Sequence, residues 1–139
     1  MKRSILFLIF TSFLFINACG PKSQGKNEKL REEVIGVHDE VMPKMGQLKS
    51  MERRALSKAE EIERADPYDS ASVKEYKALA YDLSQAHDAM FVWMRQYEVE
   101  DGGKTEEELE EYLDSQMVLV TEVNVKIKDA LAKAEEMLK

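Results

Sequence analysis

Apolar positions recur along most of this chain at alternating steps of three and four, the spacing that gathers side chains on one face of an α-helix. From about Glu28 to Ala65 they fall at Leu30, Val34, Val37, Val41, Met45, Leu48, Met51, Ala55, Ala59 and Ile62. A second run holds Val73, Tyr76, Ala80, Leu83, His87, Met90, Met94 and Tyr97. A third holds Leu109, Leu113, Gln116, Val120, Val123, Ile127, Leu131, Ala134 and Leu138. The runs are separated by ADPYDSAS near Pro67 and EDGGKT around Gly102 and Gly103, both rich in residues that end helices. Short connections between long helices make neighbours antiparallel. The pattern therefore predicts an all-α, up-down-up antiparallel three-helix bundle, a rod roughly 45 Å long.

The first helix carries a flaw. Pro43 lacks a backbone donor and clashes with the carbonyl four residues earlier, that of Asp39, so a kink or break is expected there. Gly36 and Gly46 on either side weaken the helix by about 1 kcal/mol each relative to alanine. A four-helix arrangement, with the first segment divided at Pro43, is the alternative. Thr105 with Glu108, and Ser72 with Glu75, have the spacing of capping boxes, and Lys133 and Lys139 lie toward the final carboxyl end.

The first twenty residues, MKRSILFLIFTSFLFINACG, follow a different pattern: cations at Lys2 and Arg3, an apolar run from Ile5 to Ile16, then small residues. That run is shorter than the roughly 20 residues needed to span a bilayer. The layout is that of a secretory signal. Ile16, Asn17, Ala18 and Cys19 resemble the bacterial lipobox, which implies diacylglycerol on Cys19 and palmitate-type acylation of the mature end. The expected division is a signal peptide over 1–18, a lipidated cysteine and flexible tether over 19–27, and a bundle over 28–139. Loss of Lys2 and Arg3 leaves 18 of the 20 basic residues against all 27 acidic ones, a formal charge of −9. Such a body repels nucleic acid and anionic head groups, so membrane contact falls to the acyl chains. Cys19 is the only cysteine, which excludes a disulfide framework and a cysteine zinc site.

Candidate chemistry is confined to two similar phrases, HDEVMPKM from His38 and HDAMFVWM from His87, each with two methionines along one side of its helix. Folding about residue 67 sets Met45 opposite position 89 and Met42 opposite 92. Folding about Gly102 and Gly103 sets Met90 opposite 115 and His87 opposite 118, bringing Gln116 and Met117 to the same level. His38, Met42, Met45, His87, Met90, Met94 and Met117 thus share one central slab. Imidazole with thioether suits monovalent copper, and one histidine with one methionine suits axial ligation of haem. Methionine is also an ordinary filler of helical cores, and a buried histidine an ordinary hydrogen-bonded group. Core packing is the preferred reading, with a His/Met copper site the alternative. His87, on the cleanest stripe, needs a partner from Asp39, Asp88, Ser115 or Gln116. Of Phe91 and Trp93, which flank the slab, at least one is expected to be exposed.

No phosphate loop, serine elbow or zinc-spaced histidine pair is present, and the acidic run after Glu100 lacks calcium-loop spacing. The lipobox with Cys19-Gly20, the acidic helical body and the phrase HDEVMPKM resemble small lipoproteins of the Bacteroidota that carry coiled-coil labels such as viral A-type inclusion protein and have no established activity. The resemblance, with no acidic residue in GPKSQGKN, implies a periplasm-facing, membrane-anchored protein of the cell envelope. The expectation is a non-enzymatic interaction or accessory bundle, without a cofactor, whose partners are the lipid bilayer, an envelope protein or a second copy.

Overall fold

A computed structural model describes residues 22–67 and 69–139, without the side chains of residues 22–24; the expected signal segment and Cys19 lie outside the described residues. The chain forms α1 over Lys22–Val41, a single 3-10 turn over Met42–Lys44, α2 over Met45–Glu63, α3 over Ser70–Gln96 and α4 over Glu106–Met137. α1, the 3-10 turn and α2 make one long bent element. The architecture is the expected three-helix bundle, broken at Pro43. α4, with 32 residues, is about 48 Å long.

The bend decides what packs where. α2 lies chiefly against α3, whereas α1 lies against α4. The two long elements on that side run parallel, with Asn27 bonded to the Glu106 carbonyl, Gln47 to Glu135 and Arg54 to the Leu138 carbonyl. Leu48, Leu79, Leu83, Met90, Leu113 and Ile127 are fully buried along the axis, each contributing about 1.5–3 kcal/mol through lost water contact.

Pro43 takes its place within the 3-10 turn, where the Met45 N–H bonds to the Met42 carbonyl. The outside of the bend is held by Asn124 of α4. Its Nδ2 donates to the Val37 carbonyl and to Glu40 Oε2, both at 2.9 Å, and Lys128 donates to Glu40 Oε1 at 2.6 Å. Those bonds, Lys128 first, hold the Glu40 carboxyl below its ordinary value. A polar residue stands in the buried face of α4 because the last turn of α1 presents carbonyls there.

Several local details differ from the sequence reading. α1 starts at Lys22, not near Glu28, and takes up most of the stretch expected to be a tether. Asn27 is buried, with Nδ2 bonded to the Glu106 carbonyl at 2.9 Å and to its carboxylate at 3.1 Å, which ties this early turn to α4. The Thr105–Glu108 capping box is present. Ser72 and Glu75 form none: Asp69 caps α3 instead, accepting from the backbone of Ala71 and Ser72 and from the Ser72 hydroxyl. Lys133 bonds to Asp82 at 2.7 Å, where a fold about the two glycines would set it opposite position 72. Residues 97–105 are the cause. Gly102 and Gly103 turn the chain at φ +62° and +82°, values that favour glycine, and the Glu98 N–H bonds to the Tyr112 hydroxyl at 2.6 Å. α4 is thereby shifted along α3, and Met117 moves away from His87 toward the loop end.

Asn124→Ala strips the donor from the bend, and a loss of about 1–2 kcal/mol is expected in chemical denaturation. The caps make the fold acid-sensitive. The Ser72 hydroxyl, then the Ser72 and Ala71 N–H groups, hold Asp69 below its ordinary 3.8. The Thr105 N–H, then its side chain, hold Glu108 below 4.5. Lowered folded-state values mean that this stabilisation is complete above those figures and is lost as pH falls through the lowered ones. The urea midpoint is expected to drop between about pH 5 and about pH 3. Asp69→Asn, which still caps, should flatten that drop.

Candidate functional site

Above the bend α1 leans onto α4 and away from α3, and bulky side chains fill the resulting gap. The ring centroids of His38 and Trp93 lie 5.4 Å apart, those of Trp93 and Tyr97 4.9 Å, and those of Tyr97 and Tyr112 6.2 Å. This aromatic row crosses from α1 through α3 to α4. Arg31 closes its upper end, donating to the Tyr97 hydroxyl and the Glu98 carbonyl, both at 3.3 Å, and pairing with Asp101. Its charge is therefore matched by Asp101.

Beside the row is a pocket of about 220 Å³, walled by Ile35, Trp93, Met94, Tyr97 and Val99, with Arg31 and His38 at its edges. Trp93 is only 4% exposed, and Met94 is 39% exposed at the rim. The His38 side chain is 16% exposed, with Nδ1 2.8 Å from Asp39 Oδ1. An ionised carboxylate only accepts, so the hydrogen of neutral His38 sits on Nδ1 and the lone pair on Nε2. That Nε2 is buried and has no hydrogen-bond partner among the described residues, and the same holds for the Trp93 indole N–H.

The slab predicted from register divides. His38 and Met94 line one pocket. Met42 follows His38 by one turn and is half-buried against the core, as is Met117. Met45 and Met90 are core residues. His87 stands 3.2 Å from Asp88 through Nδ1 and stacks on Phe91 of its own helix at 4.9 Å, outside the lining of the pocket. Phe91 is exposed while Trp93 is buried. Among the described residues no three His, Cys, Asp or Glu side chains converge as a metal site would require, and no helix is long and apolar enough to cross a membrane.

The rotation of the buried face of α3 explains why His87 and Met94 left the core. Its early turns bury Val73 and Ala80, but its later turns bury Ala86 and Trp93 rather than His87 and Met94. The partner of α3 changes at that level, since helix one has crossed toward α4. Trp93, Arg31 and Asn124 were the residues that periodicity alone did not single out as site or clamp. Arg31 left no signal in the pattern, whereas an asparagine adjoining an apolar stripe was a readable hint. Comparison with family models, curated proteins and solved structures finds no match for the chain.

Trp93→Ala should cost about 3–5 kcal/mol by emptying the centre of the aromatic row. Trp93→Phe, which keeps a ring and deletes an unpartnered N–H, should stay within about 1.5 kcal/mol of the parent in urea denaturation.

Proposed function

We propose that the chain is a lipid-tethered, periplasm-facing helical bundle that acts by binding, as an interaction or accessory protein of the cell envelope, and not by catalysis. The observation that carries this reading is the pocket between α1 and α3. Its accessible lining is almost wholly apolar, and the two charged or ionisable residues that line it are each paired with a carboxylate, Arg31 with Asp101 and His38 with Asp39. An apolar recess in an acidic, mostly polar surface is the usual form of a binding site. Among the described residues that line the pocket there is no serine, threonine, cysteine or lysine for His38 to activate.

The tether rests on the lipobox resemblance of Ile16 to Cys19. Acylation there supplies membrane affinity that the acidic body, at a formal charge of −9 after loss of Lys2 and Arg3, cannot draw from anionic head groups.

Native mass spectrometry of the chain extracted in detergent from its own envelope tests both halves. The expected species begins at an acylated Cys19 and carries additional mass that denaturing conditions remove. An unacylated chain overturns the tether. An acylated chain of identical native and denatured mass overturns the binding role.

A further inference from the structure

We infer that the pocket between α1 and α3 holds the alkyl chain of an uncharged amphiphile, with room for about nine carbons. The inference rests on the reading of this pocket as a binding site and names the class of its ligand. Almost no polar surface faces the space, although Arg31 and His38 are among the residues that line it. Both have their polar ends engaged elsewhere. The Arg31 guanidinium pairs with Asp101 and donates to the Tyr97 hydroxyl and the Glu98 carbonyl, both at 3.3 Å, so its methylene stem is what it offers the pocket. His38 meets Asp39 through Nδ1 at 2.8 Å, and its Nε2 is buried. The rest of the wall is aliphatic or aromatic, from Ile35, Trp93, Met94, Tyr97 and Val99.

Such a lining selects its guest by what it withholds. A polar molecule entering would give up hydrogen bonds to water and find none in return, whereas a hydrocarbon only leaves water. A carboxylate or phosphate finds no free cation there, because Arg31 already has Asp101 as its counter-ion. Val99 at the mouth also stands between Glu98 and Glu100, on a chain of formal charge −7, which repels an anionic head group. Size sets the length of chain. An apolar cavity of about 150 Å³ takes one benzene ring, so the space here, about 220 Å³, takes about nine carbons in place of six. Trp93, 4% exposed, is the deepest part of the wall, while Met94 at 39% and Val99 at 74% form the rim. The tail therefore enters first and the head group stays in water. Met94, unbranched and flexible, adjusts the rim to the guest.

The full chain, kept in digitonin, a steroidal detergent with no alkyl chain to compete, is titrated with 9-bromononan-1-ol, whose bromine quenches tryptophan on contact. The sole tryptophan lies in the pocket wall and reports it directly. Saturable quenching is expected, at one molecule per chain, reversed by nonan-1-ol. Measured against free aqueous concentration, competing alkan-1-ols should gain about fourfold per methylene from six to nine carbons, with no further gain at twelve. Nonanoate should compete less well than nonan-1-ol. Ile35→Phe, which fills the space, should abolish saturable quenching, and Val99→Asp, at an exposed position that spares the fold, should weaken it about tenfold or more. Tyr81→Ala, in a separate recess between α3 and α4, should leave it unchanged. Quenching that never saturates, full affinity in a folded Val99→Asp chain, a continued gain to twelve carbons, or nonanoate binding more tightly than nonan-1-ol would overturn the assignment. A chain that takes no alkanol yet sheds another ligand on denaturation would overturn the alkyl guest alone and leave the binding role standing.

Discussion

The bend at Pro43 is the constraint from which the rest of the molecule follows. A proline in mid-helix deletes one backbone bond and collides with the preceding turn, and here the conflict is met by a 3-10 turn over Met42–Lys44. A bend left to itself would be a hinge. Asn124 and Lys128 convert it into a fixed angle by bonding the Val37 carbonyl and the Glu40 carboxylate of α1. The angle then assigns partners, α2 to α3 and α1 to α4, so one continuous element changes neighbours halfway along the rod.

That change of neighbours produces the pocket. Two straight helices packed ridge into groove along their full length leave little free volume. When α1 departs, α3 keeps a flank with nothing of helical size against it, and His38, Trp93, Tyr97 and Arg31 span the space with rings and a guanidinium. Planar groups tile such a gap incompletely. The remainder is the cavity bounded by Met94 and Ile35. The polar atoms left unpaired within the row itself, His38 Nε2 and the Trp93 N–H, are a consequence of using amphipathic rings to fill a space that aliphatic side chains would fill more evenly.

Periodicity made the helices, their order and the break at Pro43 legible, because each depends on local spacing or on proline chemistry. The Thr105–Glu108 cap was legible for the same reason. What could not be read was the phase of each helix after the bend. A heptad-like line through Ala80, His87 and Met94 looks like one face in sequence. The buried line passes to Ala86 and Trp93 once the opposing helix moves, and a rotation of about 100° per residue turns a small phase shift into a change of side. The pairing of α3 with α4 was misjudged along its length because the residues around Gly102 and Gly103 make a connection longer than a tight turn. Of the candidate site, His38 was readable as a candidate, but that it lines a pocket with Met94 and Trp93, and without His87, needed the geometry.

The start of α1 at Lys22 bears on how the protein meets its surroundings. Were Cys19 acylated as proposed, two residues, Gly20 and Pro21, would lie between the lipidated residue and the first helical turn, a reach of at most about 10 Å. The pocket, nine residues farther along α1 at Arg31 and sixteen at His38, would ride within a few nanometres of the bilayer surface, while the turn between α2 and α3 would stand farthest from it. Encounters would therefore take place in a thin layer against the membrane, and whatever the pocket accepts must be delivered there by lateral movement in the envelope or by diffusion close to its face.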